Sequence, residues 1–343
     1  MRILVTGANG HVGCNLVREL LSRDHQVVPF VRESSNLEGL EPLGLTPVFG
    51  DVRNGDAVLR AAEGCDAIEN LAAVYAYGGT VEEIIEPAVE GIENVLRAAA
   101  EHGVGRVVHT SSIAAVGVSD DEAVLDETHW NEAPGDNYMR AKTDSERRAW
   151  ELAAELSVPM IALNPAAIIG RHDYKGTPSN GFVREHVHNP GSYHGGLNYV
   201  DVRDVAWVHA QALTHGEPGE RYIVASDNLT VRDLVALVTD RTGKWAMHYH
   251  QPRWMMKPTA SLIEGASKLL GIRPMTTRAV VEEFYRRWCW YDNAKARAAF
   301  DWTPIPPREL VDDALQWLVH RRKIKPRIAA QIRESLGDPP DYS

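Results

Sequence analysis

The feature that most restricts this chain is a glycine-rich turn at its start. Residues 2–6 (RILVT) are an apolar run, and Thr6-Gly7-Ala8-Asn9-Gly10-His11-Val12-Gly13 follows with glycines spaced G-x-x-G-x-x-G. Beyond it, Val12, Leu16, Leu20 and Leu21 share one face of a predicted helix over 12–23. In a strand–turn–helix of this kind the first glycine permits the tight turn. The second lets backbone approach a pyrophosphate, and the third lets helix and strand pack closely. The helix N-terminus adds unpaired N–H groups and a partial positive charge. An ordinary tight turn has no need of all three glycines. The context therefore predicts a dinucleotide-binding turn, with Gly7, Gly10, His11, Val12 and Gly13 facing the cofactor.

The unit repeats. Strand-like runs at 26–31, 46–49, 66–72, 105–110 and 158–164 alternate with helical patterns at 56–63, 81–102 and 137–156. Such alternation predicts an α/β chain with a doubly wound parallel sheet. After Pro165 the pattern weakens. Residues 170–196 are rich in glycine and poor in periodicity, which predicts a long functional loop. A strand returns at 221–226, and amphipathic helices are expected at 230–242 and 307–319. The expected division is a dinucleotide-binding domain over 1–168, with a returning segment at about 197–226. A smaller, mostly helical substrate lobe takes 169–196 and 227–319, and a basic tail takes 320–343.

Composition excludes other classes. A formal net charge of -11 over 343 residues leaves no basic face for a nucleic-acid polymer. Cys14, Cys65 and Cys289 lie far apart, a pattern that suits a reducing compartment better than a disulfide framework or a metal site. No run of about 18 apolar residues offers a membrane span. The opening MRILVTG lacks the length and flanks of a signal peptide, so a cytoplasmic location is expected.

Coenzyme choice is set at the end of the second strand. An acid about 20 residues past the glycines would hold a ribose 2′-hydroxyl, whereas an arginine suits a 2′-phosphate. Arg32 stands there, with Ser34 and Ser35 as added donors, and Glu33 is an awkward neighbour. NADP is therefore the expected coenzyme, with NAD left open.

Tyr138 and Lys142 lie four apart on the helix predicted over 137–156, and so on one face. A free phenol, with a pKa of about 10, is a poor acid or base at neutral pH. A nearby ammonium favours the phenolate, and the phenol then exchanges a proton with a carbonyl/alcohol pair. Thr110-Ser111-Ser112 closes the strand over 105–110 and puts hydroxyls at the sheet's carboxyl edge. Ser112 is the expected donor to the substrate oxygen.

With these residues in this order, the chain resembles the extended short-chain dehydrogenases/reductases, the NAD-dependent epimerase/dehydratase family. The likeness includes TGANGHVG at 6–13, Gly50-Asp51-Val52, Leu71-Ala72-Ala73, TSSIAAVG at 110–117 and NPAAIIG at 164–170. It continues through NYVDVRDVA at 198–206, GERYIVAS at 219–226 and YDNAKARAAFDWTP at 291–304. The resemblance implies a Rossmann fold and a catalytic triad of Ser112, Tyr138 and Lys142, with Ser111 as the alternative serine. It also implies Asp51 and Val52 near the adenine, Leu71, Ala72 and Ala73 along the cofactor, and Pro165 and Ile168 by the nicotinamide. It requires no metal. In many relatives the helices matching 81–102 and 137–156 pair two subunits, so a homodimer is expected.

Within the family, EIIEPAVEGIENVL at 83–96 and KTDSERRAWELA at 142–153 resemble the dihydroflavonol reductase/cinnamoyl-CoA reductase/3β-hydroxysteroid dehydrogenase group. Sugar-nucleotide epimerases usually carry Asn where Ala88 stands, and Asn70 replaces the histidine of many members. The expected activity is NADP-dependent interconversion of a ketone or aldehyde and an alcohol on an apolar small molecule. A 3β-hydroxysteroid or sterol dehydrogenase and a sugar-nucleotide epimerase are the alternatives.

The second half bears on the substrate. Leu262, Ile263, Ala266, Leu269 and Leu270 form an apolar stripe on a helix over 254–270, amid Trp245, Trp254, Phe284, Tyr285, Trp288, Trp290 and Tyr291. These are expected mainly as the core of the small lobe, with a lid over an apolar substrate as the other reading. His186, His188 and His194 lack metal-ligand spacing and read as loop histidines. The basic HRRKIKPR at 320–327 reads as a solvated helix end. With the 254–270 helix it also suggests weak contact with an anionic membrane surface.

Overall fold

The computed structural model describes residues 1–73, 80–250, 253–269, 281 and 285–342. Strands and helices alternate through the first half. They are β1 (Arg2–Thr6), α1 (His11–Ser22), β2 (Gln26–Val31), β3 (Val48–Phe49), α2 (Gly55–Ala62), β4 (Ala67–Asn70), α3 (Glu86–Glu101), β5 (Arg106–Thr110), α4 (Asn137–Leu156) and β6 (Met160–Pro165). The second half continues with β7 (Ala167–Ile169), α5 (Pro178–His188), β8 (Gly191–Tyr193), β9 (Gly196–Asp201), α6 (Val202–Ala212), β10 (Arg221–Val224) and β11 (Asn228–Thr230). It closes with α7 (Val231–Thr242), β12 (Met247–Tyr249), α8 (Arg253–Leu269), α9 (Ala294–Phe300), α10 (Pro307–His320) and α11 (Pro326–Leu336).

The main sheet has seven strands in the order β10-β6-β5-β4-β1-β2-β3, every pair parallel. This is the doubly wound arrangement expected from the sequence. Its inner strands, β1, β4, β5 and β6, are largely buried on both faces, whereas the edge strand β3 is exposed. Ile3 and Val5 of β1 pack with Leu16 and Leu20 of α1 and Val205 and Val208 of α6. Leu4, on the opposite face, packs with Val58 of α2, Ile92 and Val95 of α3 and Leu152 of α4. Strand order reverses beside β1, with β2 on one side and β4 on the other. That reversal opens a crevice at the carboxyl ends of the strands.

Of the stretch 197–226, Arg221–Val224 joins the main sheet beside β6. Strand β9 pairs instead with β7 and β11 in a small separate sheet. This sheet borders a third core, where Val183 and Val187 of α5 meet Leu234 and Val238 of α7, Val311 and Leu315 of α10, and Ile328 and Ile332 of α11. Residues 320–327 are tied down as well. Arg321 is paired with Glu38, and Ile324 is buried.

Two expectations need correction. The stretch 170–196 is not a long loop, because it contains α5 and β8. Pro178 starts the helix and Val183 and Val187, four apart, bury its inner face. Gly181 and the surrounding polar residues hide that spacing in the sequence. Of the apolar stripe expected on α8, Leu262 and Ala266 do not join the lobe core either. Trp254 and Leu262 are 71% and 76% exposed, and Ala266 is exposed too. The helix packs through Met256 and Ala260, against Tyr193, Val281 and Tyr285. That face lies about 200° around the helix from Leu262. Of the nearby aromatics, Tyr285, Trp288 and Tyr291 are buried while Trp245 is 80% exposed. Phe284, Leu270 and the side chains of Ile263 and Leu269 lie outside the described residues. Among the described residues, no helix is long and apolar enough to cross a membrane.

Candidate active site

The glycine turn is built from the backbone outward. Gly7 adopts φ +66°, open to glycine at little cost, and its N–H donates to the Phe30 carbonyl at 3.1 Å. A Cβ on Gly13 would lie 2.4 Å from the Gly7 carbonyl oxygen and 2.6 Å from that of Ala8. No side chain fits there, so α1 is able to start against the end of β1. The opposite wall is tied to the same strand. Leu71 N and Ala72 N donate to Thr6 Oγ1 at 3.1 and 3.2 Å, and the Thr6 hydroxyl donates to Asn70 Oδ1 at 2.7 Å. Asn70 also bonds His109 Nδ1 at 3.0 Å, so it holds the floor of the crevice together.

Two connected hollows open along this crevice. One, of about 450 Å³, is bordered by the turn residues Gly7, Gly10, His11, Val12 and Gly13, and by Ser112, Tyr138, Lys142, Pro165 and Ile168. The other, of about 360 Å³, is bordered by Asp51, Val52 and Ala72. Arg32, Leu71 and Ala73 border both. The residues singled out from the sequence thus converge on one continuous cleft. Its smooth glycine floor and paired hollows fit an extended dinucleotide. His11 has a different local task from its neighbours. Its ring is buried and Nε2 lies 2.9 Å from the Arg171 carbonyl.

Helix α4 starts where Asp136 accepts the Tyr138 N–H at 2.7 Å, a side-chain cap. One turn later the Lys142 ammonium donates to the Thr110 carbonyl at 3.0 Å. Burial lowers the Lys142 pKa to about 8, against the pull of Glu146. Lys142 also helps burial hold the neighbouring His109 down at about 3. The protonated lysine therefore destabilises the fold at neutral pH. With an unfolded value of 10.5, that cost is full below pH 8 and fades as pH rises toward 10.5. The Lys142→Met variant is expected to be more stable than the parent at pH 7, its margin narrowing by about 1 kcal/mol by pH 9. Urea unfolding at the two pH values checks this, and a margin that widened with pH would contradict it.

The two serines differ. Ser111 is buried and donates its hydroxyl to Glu146. Ser112 is partly exposed and its Oγ accepts the Ala114 N–H at 3.1 Å. The Ser112 hydroxyl proton is the one left to face the cleft. Behind both lies a polar cluster that the sequence reading missed. Glu146, fully buried, pairs with Arg221 at 2.8 Å and accepts Asn164 Nδ2 at 2.8 Å. The same amide donates to the Ser112 carbonyl at 3.1 Å. The cluster's members stand in stretches that carry the family resemblance, Glu146 in KTDSERRAWELA, Asn164 in NPAAIIG and Arg221 in GERYIVAS, but nothing in the sequence links Arg221 to Glu146.

Arg53 was also missed. It donates to both Asp51 oxygens, at 3.0 and 2.8 Å, beside the smaller hollow. This pairing, helped by Arg32, holds the Asp51 carboxyl below its ordinary range. Of the histidines read as loop residues, His186 and His188 lie on α5, while His194 lies in the bend between β8 and β9 as expected. His186 is buried on α5, its ring nitrogens near the carbonyls of Phe182 and Gly191, and His194 packs edge-on to Trp288.

Residues 3–225 match the family model described as the NAD dependent epimerase/dehydratase family. A Synechocystis sp. protein provisionally named dihydroflavonol 4-reductase is 31% identical, the match covering 94% of this chain and 95% of that one. Sterol demethylase protein B of Methylococcus capsulatus is 30% identical, over 94% of this chain and 100% of that one. The crystal structure of gox2253 is 30% identical, covers 94% of this chain and 99% of its own, and superposes with a TM-score of 0.81.

Proposed function

The chain belongs to the NAD-dependent epimerase/dehydratase family, and on that premise we propose that it is an NADP-preferring oxidoreductase interconverting a ketone or aldehyde and its alcohol on an apolar small molecule. The observation that carries this reading is the larger hollow. Tyr138, Lys142 and Ser112 meet there, against a wall of Ile113, Val118, Met139 and Ile168. Among the described residues, the cationic side chains that border it are Arg32, Lys142 and Lys175. A sugar-nucleotide diphosphate would call for further cations of its own. The names of the relatives, a flavonoid-type reductase and a sterol-processing protein, agree with an apolar substrate.

Each group has a task in this chemistry. The dinucleotide, when bound, supplies or accepts hydride at its nicotinamide. The turn from Gly7 to Gly13 offers backbone N–H groups to its phosphates. Asp51 and Val52 border the adenine end, and Pro165 and Ile168 the nicotinamide end. The Ser112 hydroxyl donates to the substrate oxygen and polarises it. The Tyr138 phenol gives its proton to that oxygen as alcohol forms, and takes it back in the oxidative direction. Lys142 holds positive charge beside the phenol and favours its ionised form.

The direct test is oxidation of NADPH against steroid ketones, flavonoid-like ketones, acyl-CoA thioesters and sugar nucleotides. Turnover on an apolar carbonyl is the expected result. Epimerisation of a sugar nucleotide without net coenzyme consumption would overturn the reading. Coenzyme preference has its own test. Arg32 and Arg53 both border the adenosine hollow, together with the acids Asp51, Glu82 and Glu83, and Arg53 engages the Asp51 carboxylate. The Arg32→Asp variant is expected to shift the NADPH/NADH ratio of kcat/KM toward NADH by about 10- to 100-fold. An unchanged ratio would remove the NADP preference.

A further inference from the structure

The loop after β7 brings a lysine to the cleft that no sequence motif announces. The two hollows share a short border made by Gly7, Gly10, Arg32, Leu71, Ala73 and Lys175. On one side of that border lie Ser112 and Tyr138, on the other Asp51 and Val52. The middle of an extended dinucleotide, its pyrophosphate, spans such a junction. Resting on the dinucleotide reading above, we propose that Lys175, on the loop after β7, is the cation that clamps the pyrophosphate where the two hollows meet.

Three observations support the assignment. The first is supply of charge. The pyrophosphate carries two negative charges, and the first turn of α1 (His11 to Cys14) contains no Lys or Arg. The helix end provides only about half a positive charge. A compact ammonium supplies the remainder, as lysines do in other phosphate cradles.

The second is that Lys175 is exposed at the cleft and has no hydrogen bond or ion pair among the described residues. Asp173, two residues before it, is otherwise engaged. Asp173 accepts from Gly176 N at 2.9 Å, Thr177 N at 2.7 Å and Asn180 Nδ2 at 3.0 Å. Partial desolvation of the ammonium, with the like charge of Arg32 as a smaller contribution, holds the Lys175 pKa below the ordinary lysine range. A bound anion would offset the charge repulsion and favour the protonated form.

The third is how firmly the loop is held. The Arg171 carbonyl meets His11 Nε2 at 2.9 Å and Asn15 Nδ2 at 3.2 Å, both from α1. His172 Nδ1 lies 2.9 Å from Asn15 Oδ1, and Arg171 Nε donates to Asp313 Oδ1 at 2.8 Å. These bonds tie the loop to the helix whose N-terminus forms the cradle. They also explain His11, whose ring fastens the loop that carries Lys175.

The assignment separates Lys175 from Arg32, which is expected at the 2′-phosphate. Binding of NADP+, NAD+, ADP-ribose and 2′,5′-ADP to the parent and to Lys175→Met is measured by titration calorimetry. ADP-ribose carries the pyrophosphate and no 2′-phosphate; 2′,5′-ADP carries the 2′-phosphate and a lone 5′-phosphate in place of the pyrophosphate. The Lys175→Met variant is expected to bind NADP+, NAD+ and ADP-ribose about 10- to 100-fold more weakly, by a common factor, and 2′,5′-ADP, which keeps only one of the two phosphates, with a smaller loss. Lys175→Arg is expected to recover part of the loss. Unchanged ADP-ribose affinity, or a loss confined to NADP+ and 2′,5′-ADP, overturns the inference alone. Failure of the parent to bind any of the four overturns the dinucleotide reading and this inference with it.

Discussion

Replacing Tyr138 with Phe is expected to lower turnover by about 10²- to 10⁴-fold while leaving dinucleotide affinity nearly unchanged. The phenol is the group asked to move a proton, and the substitution removes only its oxygen. The ring sits against Ala114 and Met139 in a small buried cluster, and phenylalanine keeps that packing. The Asp136 cap on the Tyr138 N–H is a backbone contact and survives as well. Loss of activity therefore cannot be ascribed to loss of the helix start. Single-turnover rates with NADPH and the best substrate from the carbonyl panel measure the chemical step. Fluorescence titration of the coenzyme measures binding separately. Turnover close to that of the parent would remove Tyr138 from the chemistry. Ser112→Ala should cost less, because it removes one donor to the substrate oxygen and leaves the proton source in place.

Much of this site was legible in the sequence because its parts are local. The turn from Gly7 to Gly13, the Tyr138/Lys142 pair and the Ser112 strand end each depend on spacings within a few residues. Strand and helix periods gave the doubly wound sheet for the same reason. What stayed hidden depends on partners far apart along the chain. Helix α5 was read as loop because Gly181 interrupts its pattern, and the burial of Val183 and Val187 comes from α7 and α10. Leu262 looked like core because a stripe reports amphipathicity without saying which side a neighbour takes. Lys175 lies in a stretch with no motif, and its place at the cleft is fixed by bonds to α1 more than 150 residues earlier. Glu69 and His209 make the same point. Both are fully buried and 2.7 Å apart, 140 positions distant, one in a strand whose pattern asked for an apolar residue. Burial pushes the Glu69 carboxyl up, with His209 opposing it.

The largest effect on stability is expected at Glu146, four residues beyond Lys142 on the inner face of α4. Its carboxylate is fully buried and receives the hydroxyl of Ser111, the amide of Asn164 and the guanidinium of Arg221. Arg221 is only 7% exposed, and its guanidinium lies 3.9 Å from the centre of the Trp130 ring. Removing one member of such a pair leaves the other charged and without its counter-ion, at a cost of about 3–5 kcal/mol. Glu146→Ala is therefore expected to lower the free energy of unfolding by that amount in urea titrations at pH 7. Removing both charges is a different matter, because no bare charge remains. The double variant Glu146→Leu, Arg221→Met is expected to recover a large part of the loss. A single-variant loss below about 1 kcal/mol would show that water reaches Arg221, contrary to the burial seen here. The double variant also separates packing from catalysis. Asn164 donates both to Glu146 and to the Ser112 carbonyl, so it loses an anchor even when stability returns. If Glu146 positions the Ser112 backbone through Asn164, the double variant should fold well yet keep a lowered kcat with an unchanged KM for the coenzyme. Full recovery of kcat along with stability would make the cluster purely a support for the fold.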